Sequence, residues 1–510
     1  MPTYLSPGVY VEEIDSGSRP IEGVGTAVAA FVGLASRGPL HTPTLVTNWT
    51  QFTQAFGDFV EGSYLAHAVY GYFLNGGGAC YVVRIGAESN GSSGGVPELP
   101  QADTTLGGYK ITAVSPGSEG EEITVDIEHP AEPDAPTDAF KLFVKRGGEV
   151  VEEYDKVSTK KGRQNVVTVV NPKSKLIQIE ELPTKGELVR PEAGSTALAM
   201  GTSPQEVKRL RPDDYTGNSA DRTGFGGLEA VDPVTMLCVP DLMAAYQRGM
   251  LDLEGVQAVQ LGMIAHCELM GDRVAILDTP PGLNADQVRE WRMDKTGYDS
   301  KYATLYWPWI KVFDPPTGQN VFVPPSGHMA GIWGRSDDTR GVHKAPANEV
   351  VRGAISLELN LTKAEHDLLN PNGINCIRAF SGRGIRVWGA RTLSSDPAWR
   401  YINIRRLFNY LEESILEGTE WSVFEPNDYA LWAKIRRTIA SFLVNEWRKG
   451  ALFGLTPDQA FYVKCDEETN PAESIDAGMV VCEVGIAPVK PAEFVIFHLS
   501  QYSGGASLTE

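Results

Sequence analysis

The chain has 510 residues, with 65 Asp and Glu against 45 Lys and Arg, a formal charge of -20 and a pI near 4.9. That balance argues against nucleic acid as the main partner, because phosphate backbones are bound through clustered positive charge. The longest apolar runs fall far short of a membrane span and no charged-then-apolar signal opens the chain, so the expectation is a cytosolic protein without direct membrane insertion. The length leaves room for about three domains. Six cysteines, Cys80, Cys238, Cys267, Cys376, Cys465 and Cys482, sit mostly in apolar runs and never form a C-x-x-C pair. They read as reduced, mostly buried thiols, with no zinc site, no disulfide framework and no cofactor implied.

Residues 7–14, PGVYVEEI, make a short strand-like run, followed by the linker SGSRPIEG. The nine residues from Asp15 to Gly23 can stretch to roughly 30 Å at about 3.3 Å each, so this strand can reach a neighbouring subunit as readily as its own. TAVAAFVGL then reads as a buried strand. Asn48 caps a helix running to Phe56, Ser63 opens a second, LAHAVYGYFLN, and the glycines Gly76, Gly77 and Gly78 end it before the strand CYVVRI. No Lys follows that glycine triplet, so it reads as a helix stop and not as a phosphate loop.

The Gly/Ser-rich stretch ESNGSSGGV marks a boundary; Gly91, Ser93 and Gly95 match a nucleophile elbow in spacing but lack its strand-to-helix setting. Beyond it ITVDIEH alternates, AFKLFVK and VVEEYDK flank Gly147 and Gly148 as a hairpin, and NVVTVV and KLIQIEEL read as further strands. This predicts an inserted, acidic, outward-facing all-β domain over 88–200. From Val234, strand and helix alternate through VTMLCVPD, LEGVQAVQLGMIAHCELM, RVAILDTP, DQVREWRM and YATLYWPW, which predicts a parallel sheet with crossover helices. Asp241 and Asp278 fall at strand ends, where such sheets place ligands. Turn and cap chemistry explains them without a phosphate loop, while a cytosolic nucleotide hydrolase using Asp278 is the enzymatic alternative.

Residues 323–349, VPPSGHMAGIWGRSDDTRGVHKAPANE, read as a small-residue helix between proline-marked turns, and 370–393 as glycine-punctuated strands. Two amphipathic helices follow. The first carries Ile404, Leu407, Phe408, Leu411 and Ile415 on one face, with Asp396 and Pro397 expected at its start and Gly418 at its end; the second carries Trp432, Ile435, Ile439, Phe442, Leu443 and Trp447, from Pro426 to Gly450. Their other faces hold Arg405, Arg406, Lys434, Arg436 and Arg437. With fifteen basic and thirteen acidic residues, 341–460 is nearly neutral inside an acidic chain, so the polar faces, with Arg400, Arg405 and Arg406 on the first helix and Lys434, Arg437, Ser441 and Arg448 on the second, define a candidate docking face for an acidic protein surface, alongside the plainer reading of solvated charge.

The segments 323–349 and 370–393, the opening PGVYVEEIDSG, the following AAFVGLASRGP and the last two helices together resemble the contractile tail sheath family, which forms the outer tube of contractile phage tails, bacteriocins and injection systems. The resemblance covers the first eighty or so residues and nearly everything after Val231, but not the insertion. It implies an α+β and α/β multidomain chain: an N-terminal arm and linker (1–24), the first part of the α/β sheath core (25–87), the inserted β domain (88–200), an α/β sheath domain (201–345), a C-terminal inner core (346–490) and a C-terminal arm (491–510). It further implies a core built from both chain ends, stacked rings of the same chain around an inner tube protein, contact with baseplate and terminal cap proteins, and assembly in a bacterial cytoplasm. The arms are expected to add strands to neighbouring subunits through Val9, Tyr10 and Val11 at one end and Phe494, Val495, Ile496 and Phe497 at the other, and the five basic residues to meet the tube. A tube or baseplate role in the same machine is the alternative. One arm gains about five hydrogen bonds at about 1 kcal/mol each and three buried apolar side chains at about 2 kcal/mol each. Ordering six residues costs about 1–2 kcal/mol apiece, which leaves a single arm near break-even and makes the lattice depend on many.

Overall fold

The computed structural model describes residues 20–60, 62–86, 102–114, 123–130, 136, 138–146, 148–182, 190–200 and 210–498. The chain divides into two compact units, one made of 1–85 with 211–510 and the other of 86–210. The first is organised by an eight-stranded sheet whose strands come from both sides of the second unit in sequence: β1 (Val28–Gly33), β2 (Thr44–Val46), β3 (Ala79–Arg84), β4 (Met236–Cys238), β5 (Val274–Asp278), β6 (Ala303–Trp307), β7 (Ile374–Phe380) and β8 (Gly384–Val387), in the order β8-β7-β6-β5-β4-β1-β3-β2. The six inner strands run parallel and the two edges antiparallel. The junction between early and late chain is the β1/β4 pair, in register Ala29↔Met236 to Phe31↔Cys238.

The strands β1, β4, β5 and β6 are almost continuously buried, as helices on both faces of a parallel sheet require. Two of those helices are α1 (Leu65–Asn75) and α3 (Ser326–Arg340), with α2 (Leu253–Met270) between them in the chain. α1 and α3 pack together, and α3 is rich in small residues for a physical reason. A Cβ on Gly327 would stand 2.4 Å from Ala68 Cα, and one on Gly331 2.4 Å from the Tyr72 carbonyl oxygen. Glycine is therefore what lets the two backbones approach. α4 (Ile402–Thr419) and α5 (Tyr429–Arg448) form a second core in this unit, where Leu407, Leu411, Trp432, Ile435, Ile439, Phe442 and Leu443 are buried together. Of the remaining expected stripe residues, Ile415 and Trp447 pack partly buried against this core, Ile404 is buried outside it, and Phe408 packs on Trp399 instead.

Several boundaries and one element differ from expectation. Asp396 caps a short 3-10 turn, Pro397–Trp399, and α4 begins only at Ile402 and runs past Gly418 to Thr419. α5 starts at Tyr429 under Asp428, whose side chain accepts from the Leu431 N–H, two residues beyond Pro426. In the second unit the segment NVVTVV, expected as a strand, is the helix Val166–Val170. Asn165 caps it by accepting from Val167 and Thr168 N–H, and Val166 and Val170 are buried one turn apart. Strong β propensity lost there to a cap and a four-residue burial period. The rest of that unit is two four-stranded antiparallel sheets, containing the expected hairpin of Ala139–Arg146 and Glu149–Ser158 and the alternating strand Ile123–Glu128.

Gly327→Ala should lower stability by about 1–3 kcal/mol through overpacking against the α1 backbone, read as a fall in the denaturation midpoint at unchanged m-value.

Candidate assembly interface

The carboxylates at the strand ends are consumed by the fold. Asp241 follows β4 at the point where strand order reverses, the crevice in which doubly wound sheets bind ligands. Its carboxylate instead accepts from Leu34 N–H at 2.6 Å, the Ser63 hydroxyl at 2.9 Å, Leu65 N–H at 3.1 Å and Tyr64 N–H at the start of α1. The chain's own side chain thus sits where an anion would meet a helix N-terminus. Burial lifts it to about 6 despite those bonds. Asp278 accepts from the Ser326 N–H at 2.9 Å at the start of α3, and burial lifts it to about 7. Among the described residues no His/Cys/Asp/Glu group could hold a metal.

The five basic residues do not form one face. Arg405 and Arg406 are 1% and 4% exposed, which corrects their assignment to a docking surface. Arg406 makes an ion pair with Asp337 of α3, donates to the Thr26 carbonyl at 2.9 Å, and lies 4.7 Å over the Trp333 ring. Arg405 is stacked 4.5 Å from Trp399 and 4.7 Å from Tyr302 and donates to Asn409 and Glu412. Ile402, Asn403 and Ile404 are buried too: the first turn of α4 is enclosed on every side, so no polar face exists there. On α5 the charges do reach solvent. Arg436 and Arg437 are exposed, and Lys434 is half-buried with its ammonium 4.0 Å over Trp421.

The C-terminal segment has a fixed root and an open end. Glu493 accepts a bidentate pair from Arg391, Nε at 2.9 Å and Nη2 at 2.7 Å, together with Asn370 Nδ2 at 2.8 Å and the Tyr401 hydroxyl at 2.9 Å. Partial burial pushes its carboxyl upward, but these donors outweigh burial and hold it below the ordinary glutamate range. The next four residues, Phe494, Val495, Ile496 and Phe497, are 73%, 67%, 76% and 82% exposed and belong to no strand of their own unit. Four consecutive large apolar side chains in water are unusual. Glu493 was missed in the sequence, where it reads as one acid among many. Val9, Tyr10 and Val11 lie outside the described residues.

A two-stranded antiparallel sheet lies beside α5, formed by β9 (Phe461–Lys464) and β10 (Glu483–Ile486). Between α5 and β9 runs an open groove of about 680 Å³ lined by Arg436, Arg437 and Ala440 on one side and Phe461, Tyr462 and Val463 on the other. Among the described residues no third strand pairs with this sheet.

The chain matches two adjoining family models, the phage tail sheath protein central domain over residues 235–393 and the phage tail sheath C-terminal domain over 394–501. The tail sheath protein of Burkholderia phage BcepMu is 24% identical over 517 residues, covering 96% of this chain and 95% of that protein. That of Vibrio phage KVP40 is 28% identical over 222 residues, 43% of this chain, and the match spans only 32% of the longer relative. In fold, the chain is similar to the anti-feeding prophage helical sheath in its contracted state, with TM-score 0.59, 23% identity and coverage of 98% and 100% of the two chains. It is likewise similar to the PVC sheath complex of an extracellular contractile injection system in the contracted state, at TM-score 0.58, 23% identity and coverage of 98% and 99%.

Arg406→Ala, which strands Asp337 in the interior, should cost about 3–5 kcal/mol, whereas Arg437→Ala should stay within about 0.5 kcal/mol; chemical denaturation separates the two. Because the Glu493 carboxyl titrates below its unfolded value, its clamp contributes stability above the ordinary glutamate pKa of 4.5, and that contribution is lost as pH falls through the depressed folded value. The denaturation midpoint of the native chain should fall through that acid window, and Glu493→Gln should have the lower midpoint already at neutral pH and lose less on acidification.

Proposed function

The chain belongs to the phage tail sheath family, and from that premise we propose that it is the repeating subunit of a sheath that polymerises helically around an inner tube and shortens to drive the tube through a target envelope. The observation that carries the finer reading is the exposed run Phe494–Phe497 directly behind the clamp on Glu493. In this reading the clamp fixes where the arm leaves the body, and the arm adds a strand to a neighbouring copy, with alternate side chains setting register. The β9/β10 sheet is the natural acceptor, since among the described residues its ladder holds two strands. The N-terminal run Val9, Tyr10 and Val11 serves as the second arm. The 86–210 unit is read as an inserted β module.

Contraction is then movement of rigid bodies about their arms, from a metastable extended lattice to a shorter and more stable one, with no nucleotide consumed. For the tube contact, Lys434, Arg436 and Arg437 remain the candidates, because their charge is available on α5. Exposed ion pairs are individually weak, which suits a contact that must hold before firing and release afterwards. Assembly in the bacterial cytoplasm, with baseplate and cap proteins at the ends, completes the reading.

The test is Phe494→Asp with Ile496→Asp in the full chain, beside the unaltered protein. The expected outcome is an unchanged denaturation midpoint, with the hollow, striated cylinders expected of the native chain in electron micrographs lost in the variant. Cylinders of normal length from the double variant would overturn the role of the arm.

A further inference from the structure

The β9/β10 ladder ends with Lys464 opposite Glu483. One step further along the same register, Cys465 stands opposite Cys482. Across an antiparallel pair, facing Cα atoms are about 4.5 or 5.5 Å apart depending on the hydrogen-bonding position, and both values lie within the roughly 4.4–6.8 Å that a disulfide spans. The two thiols are close enough for each to shift the other's titration. Their backbone positions are held: Arg436 donates to the Cys465 carbonyl at 3.2 Å, and Asn470 joins the two strand ends by donating to the Val481 carbonyl at 2.9 Å and accepting from Val481 N–H at 2.6 Å. Cys465 is 1% exposed, whereas Cys482 is only half-buried. The other four cysteines are fully buried.

We propose that Cys465 and Cys482 form an oxidation site at which a low-molecular-weight disulfide such as glutathione disulfide closes an intrachain disulfide across the end of the β9/β10 sheet. The accessible Cys482 loses its proton and attacks one sulfur of the oxidant, forming a mixed disulfide and releasing one thiolate. Cys465 loses its proton and attacks the Cys482 sulfur, forming the protein disulfide and releasing the second thiolate. One S–S bond is broken and one formed, the oxidant is reduced to two thiols once the two protons are taken up, and the protein is oxidised by two electrons. Burial keeps both thiols protonated at neutral pH, Cys482 up to about 12, so the site stays open in a reducing cytosol and closes slowly in an oxidising medium. The bond closes the 466–481 loop and ties together the two ends of the sheet. The site stands on the register of this sheet and not on the sheath reading, which survives its failure.

The experiment treats the full reduced chain with glutathione disulfide, alkylates it in denaturant and maps the peptides. The expected result is a fall from six alkylatable thiols to four, with Cys465 joined to Cys482 in one chain, and slower proteolytic cleavage within 466–481. The variant Cys482→Ser should keep all five of its thiols. Six alkylated thiols after treatment, glutathione retained on Cys482, or a link between two chains would each overturn the proposal; the native chain alone decides among these outcomes if the variant does not fold.

Discussion

A single buried guanidinium joins the parts of this fold. Arg406 leaves α4, pairs with Asp337 of α3, donates to the Thr26 carbonyl just ahead of β1, and lies over Trp333. The helical C-terminal core, the sheet-covering helix and the entry of the chain into its first strand thus share one charge centre. Both partners of the ion pair are about 4% exposed, so neither can be removed without leaving a charge in the interior. Such a pair is weak evidence for net stability but a strong determinant of geometry, because an alternative packing of α4 on α3 would strand both charges.

That rigidity gives the terminal segment its meaning. Glu493 repeats the same chemistry at the surface: a planar guanidinium from Arg391 grips the carboxylate through two bonds, and Asn370 and Tyr401 complete the shell. A chain held at one residue and exposed at the next four has a defined origin and an undefined end. Its apolar side chains gain nothing from water and join no strand ladder among the described residues; in the proposed assembly their burial is deferred to contact with another copy.

The sequence was legible where burial pattern and connectivity agreed. The alternation from Val234 onward places β4, β5 and β6 parallel with α2 between the first two, because a run of apolar residues, a crossover helix and a second run have few other solutions. The helix stripes Leu407/Leu411 and Ile435/Ile439/Phe442 follow for the same reason. Legibility failed where tertiary context reversed a local preference. Val166–Val170 is β-branched throughout and still helical under the Asn165 cap, and Arg405 and Arg406 carry the most water-seeking side chains in α4 yet are buried. What selects them is a partner distant in sequence, Asp337 for one and the rings of Tyr302 and Trp399 for the other. No spacing on α4 announces those partners. Glu493 was invisible for the same reason, since its four donors arrive from residues 370, 391 and 401.

The placement of charge and of apolar surface therefore follows one logic. The guanidiniums of Arg405 and Arg406, which appear on a helical wheel to face outward, are used internally, where the low dielectric makes each bond directional and the loss of a partner costly. The contacts proposed for assembly are of the opposite kind: an extended apolar run, a sheet that holds two strands among the described residues, and a few solvated charges on α5. Each of these is individually marginal, since ordering a strand costs about as much as its burial returns. A body held by buried pairs and a connection held by marginal ones will respond to stress at the connection first. In the proposed contraction, a subunit built in this way keeps its shape while its neighbours change position around it.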